Sequence, residues 1–386
     1  MPLNDRAKLE HLEEQHLAPY ALRAAKSRGR RYPEPEHDYR TCFQRDRDRI
    51  IHSEAFRRLE YKTQVFLNWE GDHFRTRLTH TIEVAQCART IARALSLNEE
   101  VCEAVALAHD LGHTPFGHAG EHAMRDCMEG HGGYEHNGQS LRIVDFLERR
   151  YAGFPGLNLT HESRYGMMKH ETDYDKPLFA TLEARESPSL EAQVVNFADE
   201  ISYNSHDAED GLYSGILTVD VACESALFAE AVKNANDTGA GAEASLLRYY
   251  IVRYLKNVQV SDLLQHTSLR LEEEKIKTLD DVLHYKGKRL VSFSPEMSHK
   301  VARLKHMLFH KFYQHRRVMR GIEKATRFMK ELFERYLAAP YLMPGGFHKR
   351  IKEGESPHRV VCDYISGMTD RYALEQYKKL FDPDVW

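Results

Sequence analysis

The sequence predicts an all-α protein, a helical globule with one minor β-hairpin. Three observations carry that expectation. Apolar residues recur at three- and four-residue intervals: after Thr79, Ile82, Ala85, Ala88, Ile91, Ala92 and Leu95 form one stripe of an amphipathic helix. Helix-start signals precede such stripes, as where Asn98 stands before Glu99 and Glu100, an N-cap followed by acids in the first turn. No βαβ alternation and no Gly-rich loop of the P-loop or Rossmann kind is present.

Residues 1–40 are polar and read as a solvated helix followed by an extended arm through Tyr32-Pro33-Glu34-Pro35. Residues 41–215 follow as a mostly helical core. The helix opened by Asn98 carries Val101, Ala104, Val105 and Ala108, and Gly112 ends it. Another begins after Pro188 and runs through Val194, Val195, Ala198 and Ile201. Residues 216–386 form a C-terminal helical region packed on the core. Asn236–Glu243 (NDTGAGAE) reads as a flexible surface loop, with helix from Ala244 and again from Pro295 to Leu337. Between them Val282–Phe293 (VLHYKGKRLVSF) reads as a hairpin turning at Lys286-Gly287-Lys288.

Composition narrows the function. The chain has 386 residues, 42% hydrophobic and 29% charged, which fits a globular protein. At one domain per ~150 residues it has room for two to three domains. No apolar run approaches the ~20 residues of a membrane-spanning helix, so no membrane role is expected. The first residues are too charged for a signal peptide. The net charge of -4 argues against a generally basic nucleic-acid binder. Six dispersed cysteines with no CxxC pair fit reduced thiols and a cytoplasmic location.

Twenty-three histidines are the unusual feature. His109, His113, His118, His122, His131 and His136 fall in one segment with Asp110 and Glu121, in and after the Gly-rich text HDLGHTPFGHAGE. One histidine alone is best read as a satisfied core or surface residue. Mixed imidazoles and carboxylates at this density suit a divalent metal better than a packed core. Adjacent helical residues diverge by about 100°, so one ion takes both His109 and Asp110 only near a helix end, which Gly112 and Pro115 supply. Two further ligands must come from elsewhere: His80 near the start of the amphipathic helix, and Asp199 on the later one. On that later helix Asp199, Tyr203 and Asp207 share a face. Read alone, that face is equally a solvated surface and a site.

The pattern H…HD…D resembles the HD-domain phosphohydrolase superfamily. The flanking text is similar to its deoxynucleoside triphosphate triphosphohydrolase (dGTPase-like) branch. Six stretches carry the resemblance in order: FQRDRDRIIHSEAFRRLEYKTQVF, RTRLTHTIEVAQ, HDLGHTPFGHAGE, YEHNGQSLRIV, ADEISYNSHD and DYISGMTDRYA. The resemblance implies an all-α HD-domain globule around one divalent ion, with Mg2+ or Mn2+ foremost and Co2+, Ni2+ or Fe2+ also compatible. It implies hydrolysis of dGTP, or dNTPs generally, to deoxynucleoside and inorganic triphosphate. By match, His80, His109, Asp110 and Asp199 ligate the metal, and His118 with Glu121 form the catalytic pair. Gln64, Arg77, His113, His136, Tyr203 and Asp207 align with positions that contact sugar or phosphate. Where some relatives carry Lys after the last metal-ligating Asp, this chain has Glu200, and Lys169 is the expected substitute. The resemblance further implies a homo-oligomer, most often a hexamer, and a dNTP activator. The basic arm and Arg316, Arg317 and Arg320 are compatible with that.

The triphosphate needs cations. Arg40, Arg45, Arg47, Arg49, Arg57, Arg58 and Lys62 supply them, unless they pair internally with Asp46, Asp48, Glu54 and Glu60. Two other readings compete. One is an HD phosphohydrolase acting on another nucleotide phosphoester. The other is a nucleotide- or single-stranded-DNA-binding protein with vestigial activity, whose weak DNA affinity would fall steeply with salt.

Overall fold

The computed structural model describes residues 3–65, 74–169, 186–239, 241 and 243–385. It is helical throughout; among the described residues, strand pairing is limited to three isolated bridges: Arg30 with Thr160, Thr63 with Thr76, and Arg149 with Gly156. The helices used below are α1 (Arg6–His16), α2 (Cys42–Ile51), α3 (Arg77–Ala94), α4 (Glu99–Ala108), α5 (Gly117–Cys127), α6 (His136–Arg142), α7 (His161–Met168) and α8 (Leu190–Tyr213). They are followed by α9 (Ala244–Glu273), α10 (Pro295–Leu308), α11 (Arg316–Ala338), α12 (Pro357–Ser366) and α13 (Asp370–Phe381), with shorter helices between.

Side-chain caps set the helix starts that position the site. Thr76 and Thr79 form a capping box at the head of α3, Asn98 caps α4 through the amides of Glu100 and Val101, and Ser189 caps α8. Helix α3 packs on both α4 and α8, and α4 also packs on α2. The apolar stripe of α3 is turned slightly from its expected phase. Val84, Ala85, Cys87, Ala88, Ile91 and Ala92 are buried, whereas Ile82 is 51% exposed. The buried face is the one that meets α4 and α8, and Ile82 lies off it.

Two apolar clusters hold the chain together. The larger joins the N-terminal segment at Ala21, Leu22 and Ala24 to α2, α3, α4, α8 and the helices from α9 to the start of α11. The smaller packs α5 against the C-terminal half of α11, α12 and α13 through Phe116, Met124, Met329, Phe333 and Val361. Among the described residues no helix is long and apolar enough to cross a membrane. The six cysteines are unpaired, and Cys42, Cys87, Cys102 and Cys362 are buried.

The expected hairpin at 282–293 does not form. Thr278 and Asp281 make a capping box, so Val282 and Leu283 end a short helix instead of starting a strand. The amides of Leu290 and Val291 bond the Gln193 side chain of α8 rather than a partner strand. The expected helix from Pro295 to Leu337 is also divided, with a wide turn at Phe309–Tyr313 and a fresh cap at His315. Within the expected loop Asn236–Glu243, α-helix continues to Asp237, and Ala240 and Ala242 lie outside the described residues.

The N-terminal arm is tied down. Helix α1 buries no residue, but Arg30 reaches the fully buried carboxylate of Asp46 at 2.5 Å and bonds the carbonyls of Asn158 and Cys42. Asp46 also accepts from the amide and hydroxyl of Thr160 at 2.9 and 2.6 Å. Removing one member of a buried ion pair strands the other, which costs about 3–5 kcal/mol, whereas exposed pairs contribute about 1 kcal/mol or less. Arg30→Ala is therefore expected to lower the unfolding free energy by about 3 kcal/mol in urea. Arg40→Ala, which breaks a more exposed pair with Asp48, should change it by less than about 1 kcal/mol. Equal effects would remove the distinction drawn here.

Candidate metal centre

Helices α3, α4 and α8 bring four donors to one place. His80 sits in the first turn of α3, His109 caps the C-terminus of α4 with Asp110 next, and Asp199 lies in the middle of α8. All four are buried, between 1% and 9% exposed. His80 Nε2 lies 2.9 Å from Asp199 Oδ1, and His109 Nε2 lies 3.2 Å from Asp110 Oδ1 and 3.7 Å from the same Asp199 oxygen. Metal–donor bonds of ~2.1 Å at right angles set neighbouring donors about 3 Å apart, so this spacing suits one cation. His109 Nδ1 stands 2.6 Å from the carbonyl of Ala106, which only accepts, so the ring proton is there. Nε2 then presents a buried lone pair. That is the state a metal ligand requires, and the residues present fit a divalent ion.

The turn after α4 depends on a glycine. A Cβ at Gly112 would stand 2.1 Å from the His136 carbonyl oxygen and 2.4 Å from the Ser140 amide nitrogen. This close approach seats the His109-Asp110 turn against α6 and brings His136 beside it. His136 and His113 stack face to face at 3.9 Å, and His136 Nδ1 lies 3.2 Å from Glu121 Oε1. His113 Nε2 lies 3.1 Å from Asp110 Oδ1. Ligand-type atoms of His113, Glu121 and His136 also cluster. Rings stacked nearly parallel at 3.9 Å keep their lone pairs in separate, nearly parallel planes, so they converge poorly on one ion. This second group suits proton and phosphate contacts better.

Electrostatics separate the two groups. Burial opposes ionisation of Asp110, but the Arg77 guanidinium and the N–H of His113 hold its carboxyl well below the usual range. Arg77 bonds Asp110 Oδ2 at 2.9 Å. Burial, with Arg77 and His136 adding to it, pushes His113 down and keeps it neutral. With its Nε2 proton directed at Asp110, its Nδ1 is an acceptor, and both that atom and Glu121 Oε2 are buried without hydrogen-bond partners. Burial also opposes ionisation of Glu121, yet His136, which is hydrogen-bonded to it, and then the charge of His118 hold it low. The result is a cluster of buried acceptor atoms beside the four metal-ligand candidates.

The other expected site residues fall in several places. His118 is exposed on the first turn of α5, its ring 6.4 Å from that of His113. The hydrogen-bonded ring beside Glu121 is that of His136, and His118 acts on this carboxylate through its charge. Gln64 is buried with Oε1 unpartnered, and Gly117 lies close to both its backbone and Arg77. Asp207 is fully buried with neither carboxylate oxygen in a hydrogen bond, and burial, then the neighbouring Asp210, pushes its pKa well up. Tyr203 stacks on Tyr313. Lys169 follows α7 with its ammonium 5.5 Å over the Tyr165 ring. His122 faces Asp126 on the surface, and His131 stacks on His358 away from the donors.

The Arg-rich segment is mostly engaged elsewhere. Arg40 pairs with Asp48, Arg45 and Arg49 with Glu34, Arg47 with Glu100, and Arg58 with Glu54, while Arg57 bonds backbone carbonyls. Lys62 is buried against the carbonyls of His113 and Ser366, and burial with nearby Arg77 and Arg58 pushes it down to about 7. The reading of these residues as internally paired is the one the structure supports: Asp48 and Glu54 serve as expected, and Glu34 and Glu100 are added to them.

Sequence reasoning missed four residues. His206 and Glu83 stand directly behind His80. Lys305 of α10 pairs with Glu200 at 2.6 Å, so the residue that follows Asp199 in sequence meets a cation from another helix. Asp370 accepts from the amides of Thr63 and Phe116, both at 2.9 Å, and so clamps the chain beside Gln64 and the start of α5. His206 left a signal as the second His-Asp pair, His206-Asp207, and Glu83 and Asp370 lie in quoted stretches, RTRLTHTIEVAQ and DYISGMTDRYA, without being singled out there.

Residues 77–204 match the HD domain, and residues 291–379 match the phosphohydrolase-associated domain. The chain is 48% identical over 377 residues to a deoxyguanosinetriphosphate triphosphohydrolase-like protein of Geobacter sulfurreducens, covering 97% of each chain. It is 48% identical over 376 residues to the protein of that name from Ralstonia nicotianae, covering 96% of each. It is 45% identical over 370 residues to that of Leptospira interrogans, covering 95% of this chain and 97% of the relative. With likeness at this level from end to end, and with the H…HD…D residues gathered at one buried point, the chain belongs to the deoxyguanosinetriphosphate triphosphohydrolase-like family of HD-domain proteins.

Proposed function

We propose that this protein is a metal-dependent hydrolase that converts deoxynucleoside triphosphates to deoxynucleoside and inorganic triphosphate. The observation that carries the reading is the buried convergence of His80 Nε2, His109 Nε2, Asp110 Oδ1 and Asp199 Oδ1 at a cation's spacing. The names of the relatives supply the substrate class. These four residues would hold one divalent ion, Mg2+ or Mn2+ foremost. When bound, such an ion supplies Lewis-acid polarisation of a phosphoryl oxygen and a lower pKa for bound water.

The chain's own residues divide the remaining work. His118, exposed toward incoming substrate and edge-on to His113, moves the proton at the reacting oxygen as general acid or base. Glu121 and His136 fix His113 against Asp110, leaving its Nδ1 free to accept from a protonated phosphate or a water. Gln64 and Asp207 carry buried polar atoms with unmet hydrogen-bonding capacity, which the 3'-hydroxyl of a deoxyribose satisfies. Tyr203, one turn before Asp207, shapes the sugar site. Arg77, Lys305 and Lys169 are the cations offered to the phosphates. A dNTP activator and a homo-oligomer belong to the same reading, whereas the paired state of residues 40–58 weakens the case for single-stranded DNA as a ligand.

The test is a screen of the purified protein against the four dNTPs, singly and mixed, with Mg2+ or Mn2+ and detection of both products. Equimolar deoxynucleoside and inorganic triphosphate is the expected result. Release of monophosphate, pyrophosphate or orthophosphate would make it a different HD phosphohydrolase. His118→Ala is expected to lower turnover ~10²–10⁴-fold while leaving Mn2+ content unchanged. Loss of the metal in that variant would make His118 a ligand and overturn the role assigned to it.

A further inference from the structure

Behind His80 lies a chain of hydrogen-bonding groups that the proposed hydrolysis does not use. His80 Nδ1 lies 3.3 Å from His206 Nδ1, and His206 Nε2 lies 2.5 Å from Glu83 Oε2. Glu83 in turn faces Lys256 Nζ at 2.6 Å and Arg75 Nε at 3.0 Å. His206 is 1% exposed, and the row runs from α3 to α8 and back, ending on α9.

The direction of the protons in this row is determined by its two ends. At the inner end, His80 Nε2 faces Asp199, and a metal ligand must offer a bare lone pair there. The His80 proton then sits on Nδ1, where His206 Nδ1 must accept it. A neutral His206 that accepts at Nδ1 carries its own proton on Nε2, where the Glu83 carboxylate accepts it. Every group is satisfied in that one arrangement.

The opposite arrangement is also within reach. Lys256 Nζ lies 3.1 Å from His206 Nε2 as well as 2.6 Å from Glu83. If the ammonium donated to His206 Nε2, the His206 proton would move to Nδ1 and point at His80 Nδ1. His80 would then carry its proton on Nε2, where it blocks a cation. The carboxylate of Glu83, the closer of the two partners of His206, selects the first arrangement.

We propose that His206 and Glu83 are positioning residues that hold His80 in the tautomer able to bind the metal. The proposal rests on the metal-centre reading given above. Partners of this kind typically change metal affinity 10–100-fold when removed.

Mn2+ binding to metal-stripped protein, followed by the free-ion EPR signal, tests it without reference to turnover. Glu83→Gln keeps the shape of the side chain but not its charge, and is expected to weaken Mn2+ binding ~10-fold or more. His206→Leu should weaken it at least as much. His206→Gln, whose amide oxygen can still accept from His80, should recover most of the affinity. Melting temperatures of the metal-free proteins separate this from a loss of fold, and Glu83→Gln decides the matter if His206→Leu does not fold. Wild-type affinity in folded Glu83→Gln, or no recovery in His206→Gln relative to His206→Leu, would overturn the proposal. A wild-type protein that binds no Mn2+ would overturn the metal centre itself and this inference with it.

Discussion

A buried carboxylate must be compensated, and the compensation of Asp110 organises the centre of this molecule. Its Oδ2 takes the Arg77 guanidinium, while its Oδ1 lies between His109 and His113 at 3.2 and 3.1 Å. Those three partners come from the start of α3, the end of α4 and the turn that follows. One charge therefore ties α3 to α4 at the point where His80 and His109 meet. The same oxygen stands at the boundary between the donor group and the His113–Glu121–His136 group. Anything that shifts Asp110 moves both.

Further layers keep that arrangement in register. Gly112 admits α6 to van der Waals contact, which brings His136 onto His113. Asp370 then pins Thr63 and Phe116 from the far end of the chain, and Asp363 holds Arg142 of α6 and Arg350 together. The C-terminal helices are thus part of the site's support, although they contribute none of the four donors. Phe116 adopts a left-handed backbone, with φ of 62°, immediately before α5. A bulky residue held there is strained and needs surrounding contacts to hold it, which the Asp370 bond and the smaller apolar cluster provide.

Much of this was legible in the sequence. The helix class followed from periodicity and caps. The four residues that gather at the centre, His80, His109, Asp110 and Asp199, are those that H…HD…D and the family resemblance marked. What was not legible has a common physical origin. The hairpin at 282–293 was lost to two contacts invisible in local sequence, the Thr278 capping box and the Gln193 side chain. The roles of Glu83, Lys305 and Asp370 depend on partners 60 or more residues away, since each acts across helices rather than along one. The Arg-rich segment looked like a phosphate site because sequence counts charges without showing that Glu34 and Glu100 meet them. The acidic face of α8 was equally readable as surface or site, and burial of Asp199 and Asp207 decides for the interior.

The proposed activity depends on four side chains from three helices holding a single cation. An anomalous difference map from crystals soaked in Mn2+ tests it most directly. One peak is expected, within ~2.1 Å of His80 Nε2, His109 Nε2, Asp110 Oδ1 and Asp199 Oδ1. A peak among His113, Glu121 and His136 with none at the four donors would contradict it.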